Sequence, residues 1–472
     1  MKEYFKVDFK EDISKYVQIA MHIKKLIETH AIEDGEKLPT IREYTEYLGV
    51  NKITVINAYK KLEQEGFAYQ KIGSGTYAKK KENVSLFRKE YSRTFKILLT
   101  RNNLDDIIDF SGETVGEFLF SIDEFKKIIN KVLDRDGAEA LISQSSLGYE
   151  KLRRTINDVF WNNNLDDEDV LIISGAQQGI DIASKAVLNI NDNVIVEKPT
   201  YGGALSVFKW RRANIFEADM EEDGINLNQF ENIVKKNKIR CFYTMSYFQN
   251  PTGISYSLEK KKKLIELAEK YDFYIIEDDY LSELTYDKEF EYITFKSLDK
   301  HDRVIYIKSF SKIFLPGIRM GYMIAPKVLK ESMLTSKVNT DIATSSLMQR
   351  VLEVYISRGL WKENIYNLSK EYKSRYNLMK KVMELELSDK VSFIDPKGGL
   401  TFYLTLKNVN ITSKELFFKL RKRGVYITPG VLFYNKMQEG ENTLRLSFSQ
   451  TNEEKILKGI KIIKEELNTC HI

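Results

Sequence analysis

Apolar residues recur at helical spacing over 16–27, where Val17, Ile19, Ala20, Ile23, Leu26 and Ile27 share one predicted face. Gly35 and Pro39 end that helix and its loop. Thr40, a good N-cap, opens a second short helix that runs through Leu48, and Gly49-Val50 makes a tight turn. A third helix is expected from an Asn51 cap to Gly66 at its C′ position. Strand-like runs over 67–72 and 76–79 then flank Gly73-Ser74-Gly75. Helix, short helix, glycine turn, helix and a glycine-tipped hairpin is the order of a winged helix-turn-helix.

The pattern changes after residue 78. Lys79-Lys80-Lys81, Glu82, Arg88-Lys89-Glu90 and Arg93 give a charged, aperiodic stretch, read as a linker over 81–106. From Ile107 onward helical periods alternate with short apolar runs: Val170–Ile173, Val194-Ile195-Val196, Cys241-Phe242-Tyr243-Thr244, Phe273 to Ile276, and Tyr306-Ile307. Such alternation predicts an α/β architecture, a mostly parallel sheet with helices on both faces, ahead of a smaller C-terminal α+β part. The expected organisation is therefore 1–80 winged helix, 81–106 linker and 107–472 α/β unit.

Composition narrows this picture little. A chain of 472 residues, 43% hydrophobic and 30% charged, describes a globular protein with more than one folding unit. No apolar run approaches the ~20 residues of a membrane span, and Glu3, Asp8, Glu11 and Asp12 spoil any signal-peptide form, so a cytoplasmic protein is expected. Cys241 and Cys470 are too few for a disulfide framework or a zinc site, and Cys241 is expected in the core. A net charge of +5 is small for this size, so any contact with nucleic acid has to be argued locally. In the first unit Thr40, Arg42, Asn51, Lys52, Thr54 and Tyr59 fall near helix N-termini or on one exposed face, and Gly73, Ser74, Gly75 and Thr76 form the wing; these are the candidate DNA contacts.

The candidate chemistry lies where the apolar runs of the second unit end. Val170–Ile173 passes through Ser174-Gly175 into a helix, which presents the amides of Gly175, Ala176 and Gln177 to an anion. Tyr201 follows another strand and could stack on an aromatic ring, and Asn250-Pro251-Thr252-Gly253 is a rigid turn after a third. Asp278 and Tyr280 share one side of a strand end, where a buried carboxylate is costly unless a cation meets it. For Asp279 an N-cap role for the next helix is expected. Arg211 or Arg212 could meet a distal acid group, although exposed arginines are commoner than ligands. Finally Ser309, Ser311, Lys312, Pro316 and Arg319 gather two hydroxyls, an amine and a guanidinium behind a buried strand, where Lys312 could be desolvated and kept partly neutral as a nucleophile must be.

The pattern S-x-S-K-x-x-x-P-x-x-R-x-G-Y over 309–322 resembles that of the class I aminotransferases, and the resemblance extends over about 107–468. It implies pyridoxal 5′-phosphate as cofactor, attached to Lys312, with phosphate contacts from Gly175, Ala176, Gln177, Ser309, Ser311 and Arg319. It further implies stacking by Tyr201, Asn250 and Tyr280 on the phenolate, Asp278 on the ring nitrogen, and Arg445 on a substrate α-carboxylate. Lys312, Asp278 and Tyr280 carry the implied catalytic roles. One departure stands out, since the tyrosine that the family usually places a few residues before the glycine corresponding to Gly148 is missing from 141–148.

Residues 14–80 resemble the winged helix of the GntR family of bacterial regulators: Leu38-Pro39-Thr40-Ile41-Arg42, Leu48-Gly49-Val50, Ala58-Tyr59-Lys60-Lys61-Leu62-Glu63 and Gly73-Ser74-Gly75-Thr76 carry the likeness, with Asn51-Lys52 where Ser-Arg is usual. The fusion as a whole resembles the MocR branch of that family. It implies a homodimeric transcriptional regulator that binds double-stranded operator DNA and senses an amine or amino acid through pyridoxal phosphate. The alternative is a working aminotransferase with an autoregulatory DNA-binding domain. No metal and no membrane partner are expected.

Overall fold

The computed structural model describes residues 3–7, 9, 13–28, 31–33, 35–64, 67–71, 74–78, 87–94, 107–113, 121–142, 145–166, 168–287, 291–311 and 316–469. The chain forms two compact units, 1–104 and 105–472. Among the described residues no helix is long and apolar enough to cross a membrane.

In the smaller unit, α1 (Lys15–Glu28), α2 (Ile41–Leu48) and α3 (Lys52–Gln64) precede an antiparallel hairpin of β1 (Ala68–Lys71) and β2 (Gly75–Ala78). Thr40 caps α2 in a full capping box: its hydroxyl accepts from the Glu43 amide, and the Glu43 carboxylate accepts from the Thr40 amide at 3.0 Å. Gly49, at φ +61°, closes the helix in the left-handed region that glycine adopts without strain. The helices and hairpin enclose a core of Ile19, Ile23, Ile27, Tyr44, Val55, Ala58, Tyr59, Leu62 and Ala78. Gly66 and Gly73 lie outside the described residues, as does most of the expected linker, of which 87–94 is helical.

The larger unit begins with β3 (Ile108–Asp109). It is built on an eight-stranded sheet formed by β4 (Val170–Ile173), β5 (Asn193–Lys198), β6 (Asn214–Glu221), β7 (Gly224–Ile225), β8 (Ile239–Thr244), β9 (Tyr274–Asp279), β10 (Val304–Ser309) and β11 (Gly321–Ile324). Their spatial order is β4-β11-β10-β9-β8-β5-β6-β7. Pairing is parallel from β10 through β9, β8 and β5 to β6, and antiparallel where β11 meets both β10 and β4. On one face, the helices Leu227–Lys236 and Leu258–Lys270 bury Phe230, Val234, Leu264 and Ala268 against Ile195, Phe242, Ile275 and Val304. On the helix Ala176–Val187, a Cβ at Gly179 would stand 2.7 Å from Ile173 and 2.8 Å from Ile307, so only glycine lets that helix sit so close to the sheet. Cys241 is buried, as expected for the core.

A second, antiparallel sheet of β12 (Val391–Phe393), β13 (Thr401–Leu406), β15 (Thr428–Pro429) and β16 (Thr443–Ser447) packs with the long helix Leu360–Glu386, whose Tyr376 stacks on Phe402 at 5.4 Å between ring centroids. Next to it β14 (Val425–Tyr426) pairs in parallel with β3, which ties the start of the unit to its end. This is the α+β part expected near the C-terminus.

Candidate functional site

Strand direction decides where the site forms. Because β4, β5, β8, β9 and β10 run the same way and β11 runs against them, their C-terminal ends and the start of β11 share one edge of the sheet. Gly175, Tyr201, Asn250, Asp278, Ser309, Ser311 and Arg319 all leave the sheet at that edge, which is where ligands of open α/β sheets bind.

One end of the edge is an anion cradle. Gly175, at φ +91°, precedes the helix Ala176–Val187, whose first amides have no partner within the helix. A Cβ at Gly175 would lie 3.0 Å from Arg319 Nη2 and 3.8 Å from Ser311 Oγ. Arg319 Nη1 donates to Ser311 Oγ at 3.3 Å, and the Ser311 amide donates to Ser309 Oγ at 3.2 Å. Backbone donors, two hydroxyls and a guanidinium thus surround a space that a side chain at Gly175 would fill, and a phosphate dianion suits it. Lys312 lies outside the described residues.

In the middle stands Asp278, 2% exposed. Its Oδ2 accepts from Tyr243 Oη at 2.8 Å, whereas its Oδ1 is buried with no hydrogen-bond partner among the described residues. Burial, with Asp279 adding repulsion, pushes its carboxyl up to about 7, against the Tyr243 hydrogen bond and the charge of Lys308. A buried acceptor left open is costly, and a protonated ring nitrogen would satisfy both its hydrogen-bond and its charge requirement. The residues present therefore fit a phosphorylated pyridine. Tyr201 lies among the same groups: burial pushes its phenol up to about 12, with Asp278 and Glu113 adding to the rise and Arg445 and Arg319 opposing it. Gln177 Nε2 donates to the Gly203 carbonyl at 3.2 Å, and a Cβ at Gly203 would run into both Gln177 and the Tyr201 ring. Tyr280 is buried and donates to the Phe248 carbonyl at 3.1 Å.

Arg445 closes the other end. Its Nη1 donates to Asn250 Oδ1 at 2.7 Å and to Glu113 Oε1, and its Nη2 donates to the Ser111 carbonyl at 2.9 Å and to Thr428 Oγ1 at 3.4 Å. Asn250 Nδ2 in turn donates to Glu113 Oε1 at 3.1 Å. Of this group Glu113 went unread in the sequence, as did Tyr243. Tyr243 stands inside an apolar strand and reads as core, and the carboxylate of Glu113 meets a guanidinium 332 positions away.

Asp279 is a correction. No helix follows it directly; β9 turns its side chain to the face opposite Asp278, where it accepts from Lys308 Nζ at 3.0 Å, Tyr306 Oη at 2.8 Å, Ser282 Oγ at 2.9 Å and Tyr292 Oη. Lys308 also pairs with Glu283 at 2.7 Å. The charge is thus met by a neighbouring strand rather than by a helix terminus. Arg211 Nη2 donates to the Leu188 carbonyl at 2.8 Å, which gives it a structural partner.

In the smaller unit Thr40, Arg42, Asn51, Lys52, Ser74 and Gly75 are exposed and Thr54 is half-buried. Arg42 pairs with Glu46 on its own helix, at 3.1 Å and with both side chains in solvent. Two expected contacts are corrected. Tyr59 is 1% exposed and donates to the Pro39 carbonyl at 2.6 Å, because it continues the apolar face of Val55, Ala58 and Leu62. Thr76 is 7% exposed, since the alternation of β2 turns it inward with Ala78 while its carbonyl accepts from the Leu38 amide.

Comparison with known proteins agrees with this division. Residues 112–463 match the family Aminotransferase class I and II, and residues 15–78 match Bacterial regulatory proteins, gntR family. Aromatic-amino-acid aminotransferase 1 of Thermococcus litoralis is 31% identical over 382 residues, covering 78% of this chain and 91% of that protein. The uncharacterized HTH-type transcriptional regulator YcxD of Bacillus subtilis is 26% identical over 461 residues, covering 96% of this chain and 100% of that protein. Pyrococcus horikoshii kynurenine aminotransferase, solved in complex with PMP, superposes with a TM-score of 0.75 at 32% identity, over 80% of this chain and 95% of that one. The chain belongs to the class I and II aminotransferases through its larger unit and carries a GntR-family helix-turn-helix in its smaller one, the combination of the MocR-like regulators.

Proposed function

We propose that this protein is a DNA-binding transcriptional regulator whose larger unit holds pyridoxal 5′-phosphate and answers to a small amine or amino acid. The observation that carries the ligand half is Asp278, a buried carboxylate with one oxygen left without a partner among the described residues, at the edge where the anion cradle forms. When bound, the cofactor supplies an aldehyde that captures primary amines and a ring that draws electrons from the amine carbon. Asp278 would hold a proton at the ring nitrogen, Tyr201 would cover the ring, and Asn250 and Tyr280 would face its phenolate. Gly175, Ala176, Gln177, Ser309, Ser311 and Arg319 would hold the phosphate, Lys312 would be the attachment point, and Arg445 would supply a carboxylate seat. The regulatory half is supported by the winged helix, with Arg42 and Lys52 in solvent, and by a likeness to an HTH-type regulator along 96% of the chain. We further propose a homodimer, which would read an operator with two half-sites.

A working transaminase is the second reading, favoured by the likeness to an aromatic aminotransferase; it predicts catalytic conversion of an amino acid and a 2-oxo acid. The test of the regulator reading titrates a labelled operator with the parent and with Lys312→Ala, each with and without cofactor and a panel of amines. The parent's operator affinity is expected to change with cofactor and amine, and that of Lys312→Ala to stay fixed, because a ligand shifts an equilibrium only by binding its states unequally. An identical response from both proteins refutes the reading.

A further inference from the structure

The guanidinium of Arg445 is already answered by a carboxylate of the same chain. The Arg445 and Glu113 side chains are 8% and 10% exposed, so the pair is nearly desolvated. Glu113 is gripped from two sides, by Arg445 Nη1 on Oε1 and by Asn250 Nδ2 at 3.1 Å from Oε1 and 3.4 Å from Oε2. Its backbone root is fixed as well. Arg445 Nη2 takes the Ser111 carbonyl at 2.9 Å, and Ser449 Oγ donates to the Gly112 carbonyl at 3.0 Å. A Cβ on Gly112 would lie 2.3 Å from Gln450 Oε1, so the chain just before Glu113 runs hard against the segment after β16.

An arginine amide clamp with a carboxylate in it is a carboxylate seat that is taken. Asn250, which bonds both Arg445 and Glu113, leaves the sheet at the same edge as Gly175 and Asp278, so this seat lies on the edge of the proposed cofactor site, and Glu113 and Arg445 both act on the charge of Tyr201 there. A ligand with a carboxylate on its amine-bearing carbon would therefore have to expel an anion held by charge-assisted hydrogen bonds, or bring a second anion up to a neutralised arginine. An amine without that group has nothing to displace.

We infer that Glu113 is a specificity-determining residue: its carboxylate occupies the seat formed by Arg445 and Asn250, and so directs the site toward primary amines lacking an α-carboxylate and away from α-amino acids. This rests on the cofactor reading above for the amine, and on the observed contacts for the seat.

The test uses probes that differ only in the group at issue. With the cofactor-loaded full chain, calorimetric titration of 2-phenylethylamine and L-phenylalanine gives the ratio of their dissociation constants for the parent, Glu113→Gln and Glu113→Ala. The parent is expected to prefer the amine. Both variants are expected to tighten L-phenylalanine by about ten- to a hundredfold, the worth of a charge-assisted hydrogen bond, and to leave 2-phenylethylamine where it was. The glutamine variant keeps the volume and the acceptor oxygen, so its gain reports the charge. With the cofactor-free full chain, 3-phenylpropionate, which has the carboxylate and no amine, is expected to bind Glu113→Ala more tightly than the parent. The inference is overturned if the parent binds both loaded-site probes equally, or if neither variant gains L-phenylalanine and 3-phenylpropionate. Loss of every amine response with a retained 3-phenylpropionate gain overturns the cofactor reading and the amine class with it, and leaves a distinct signature from failure of the seat.

Discussion

Replacing Asp278 by asparagine tests the site through stability alone. In the cofactor-free protein the Asp278 carboxyl is pushed from its ordinary value of 3.8 up to about 7, chiefly by burial. An unfolded chain releases that proton near 3.8 and the folded one holds it until about 7, so within this window the folded state binds more protons and stability falls as pH rises. The slope from one such group is about 1.4 kcal/mol per pH unit, and the window spans about three of them, which bounds the penalty near pH 7 at about 4 kcal/mol. Asparagine does not titrate, and it can still accept from Tyr243; its amide would face the unmet position of Oδ1 and lose about 1–3 kcal/mol for want of a partner. The cofactor-free variant should therefore exceed the parent by about 1–3 kcal/mol near pH 8 and fall level with it or below it near pH 4. Urea titrations followed by tryptophan fluorescence suit the measurement, because Trp161, Trp210 and Trp361, the three tryptophans of the chain, all belong to the larger unit. Saturating pyridoxal phosphate should reverse the order at pH 8, stabilising the parent more than the variant. A parent-to-variant difference that does not change with pH, or one that favours the parent as pH rises without cofactor, refutes the reasoning.

Three further outcomes are expected. Gly175→Ala places a Cβ 3.0 Å from Arg319 Nη2 at a φ of +91°, so equilibrium dialysis should show pyridoxal phosphate affinity falling at least about tenfold, and an unchanged affinity would remove the cradle as its site. Lys308→Met leaves the buried Asp279 and the half-buried Glu283 without their cation and should cost about 3–5 kcal/mol in urea unfolding at pH 7; a loss below about 1 kcal/mol would show the pair to be dispensable. Arg42→Ala should weaken operator binding and flatten the plot of log affinity against log salt by about one unit of slope, with the cofactor spectrum unaltered; an unchanged slope would take Arg42 off the phosphates.

Much of this arrangement is legible from local chemistry. Gly175, Asn250 and Asp278 announce themselves because each follows an apolar run with a residue type that a strand interior would not keep; Tyr201 follows a strand through Pro199-Thr200 and Arg319 leads into one, and the strand directions, parallel for β5, β8, β9 and β10 and reversed for β11, bring all of them to one edge. The misreadings share another cause. The hydroxyls of Tyr59 and Thr76 suggest outward side chains, yet the periods of 3.6 and 2 that run through Val55, Ala58, Leu62 and Ala78 already turn them inward, so pattern outranks polarity. What no local rule supplies is pairing at long range. The cation that meets Asp279 comes from β10, and the one that meets Glu113 from β16, and only the register of the folded sheets brings them together.

Register is also where Asp278 and Asp279 matter jointly. Lys308 lies opposite Asp279 in the parallel pairing of β9 with β10, and successive side chains along β9 point to opposite faces. A slip of one residue between these strands would carry Lys308 alongside Asp278 or Tyr280, whose side chains face away from it, and would take its desolvated ammonium out of register with the carboxylate of Asp279. The two adjacent aspartates therefore act as a parity check on assembly: a chain that pairs its central strands out of phase incurs a charge penalty at once, before any ligand has arrived to report the error.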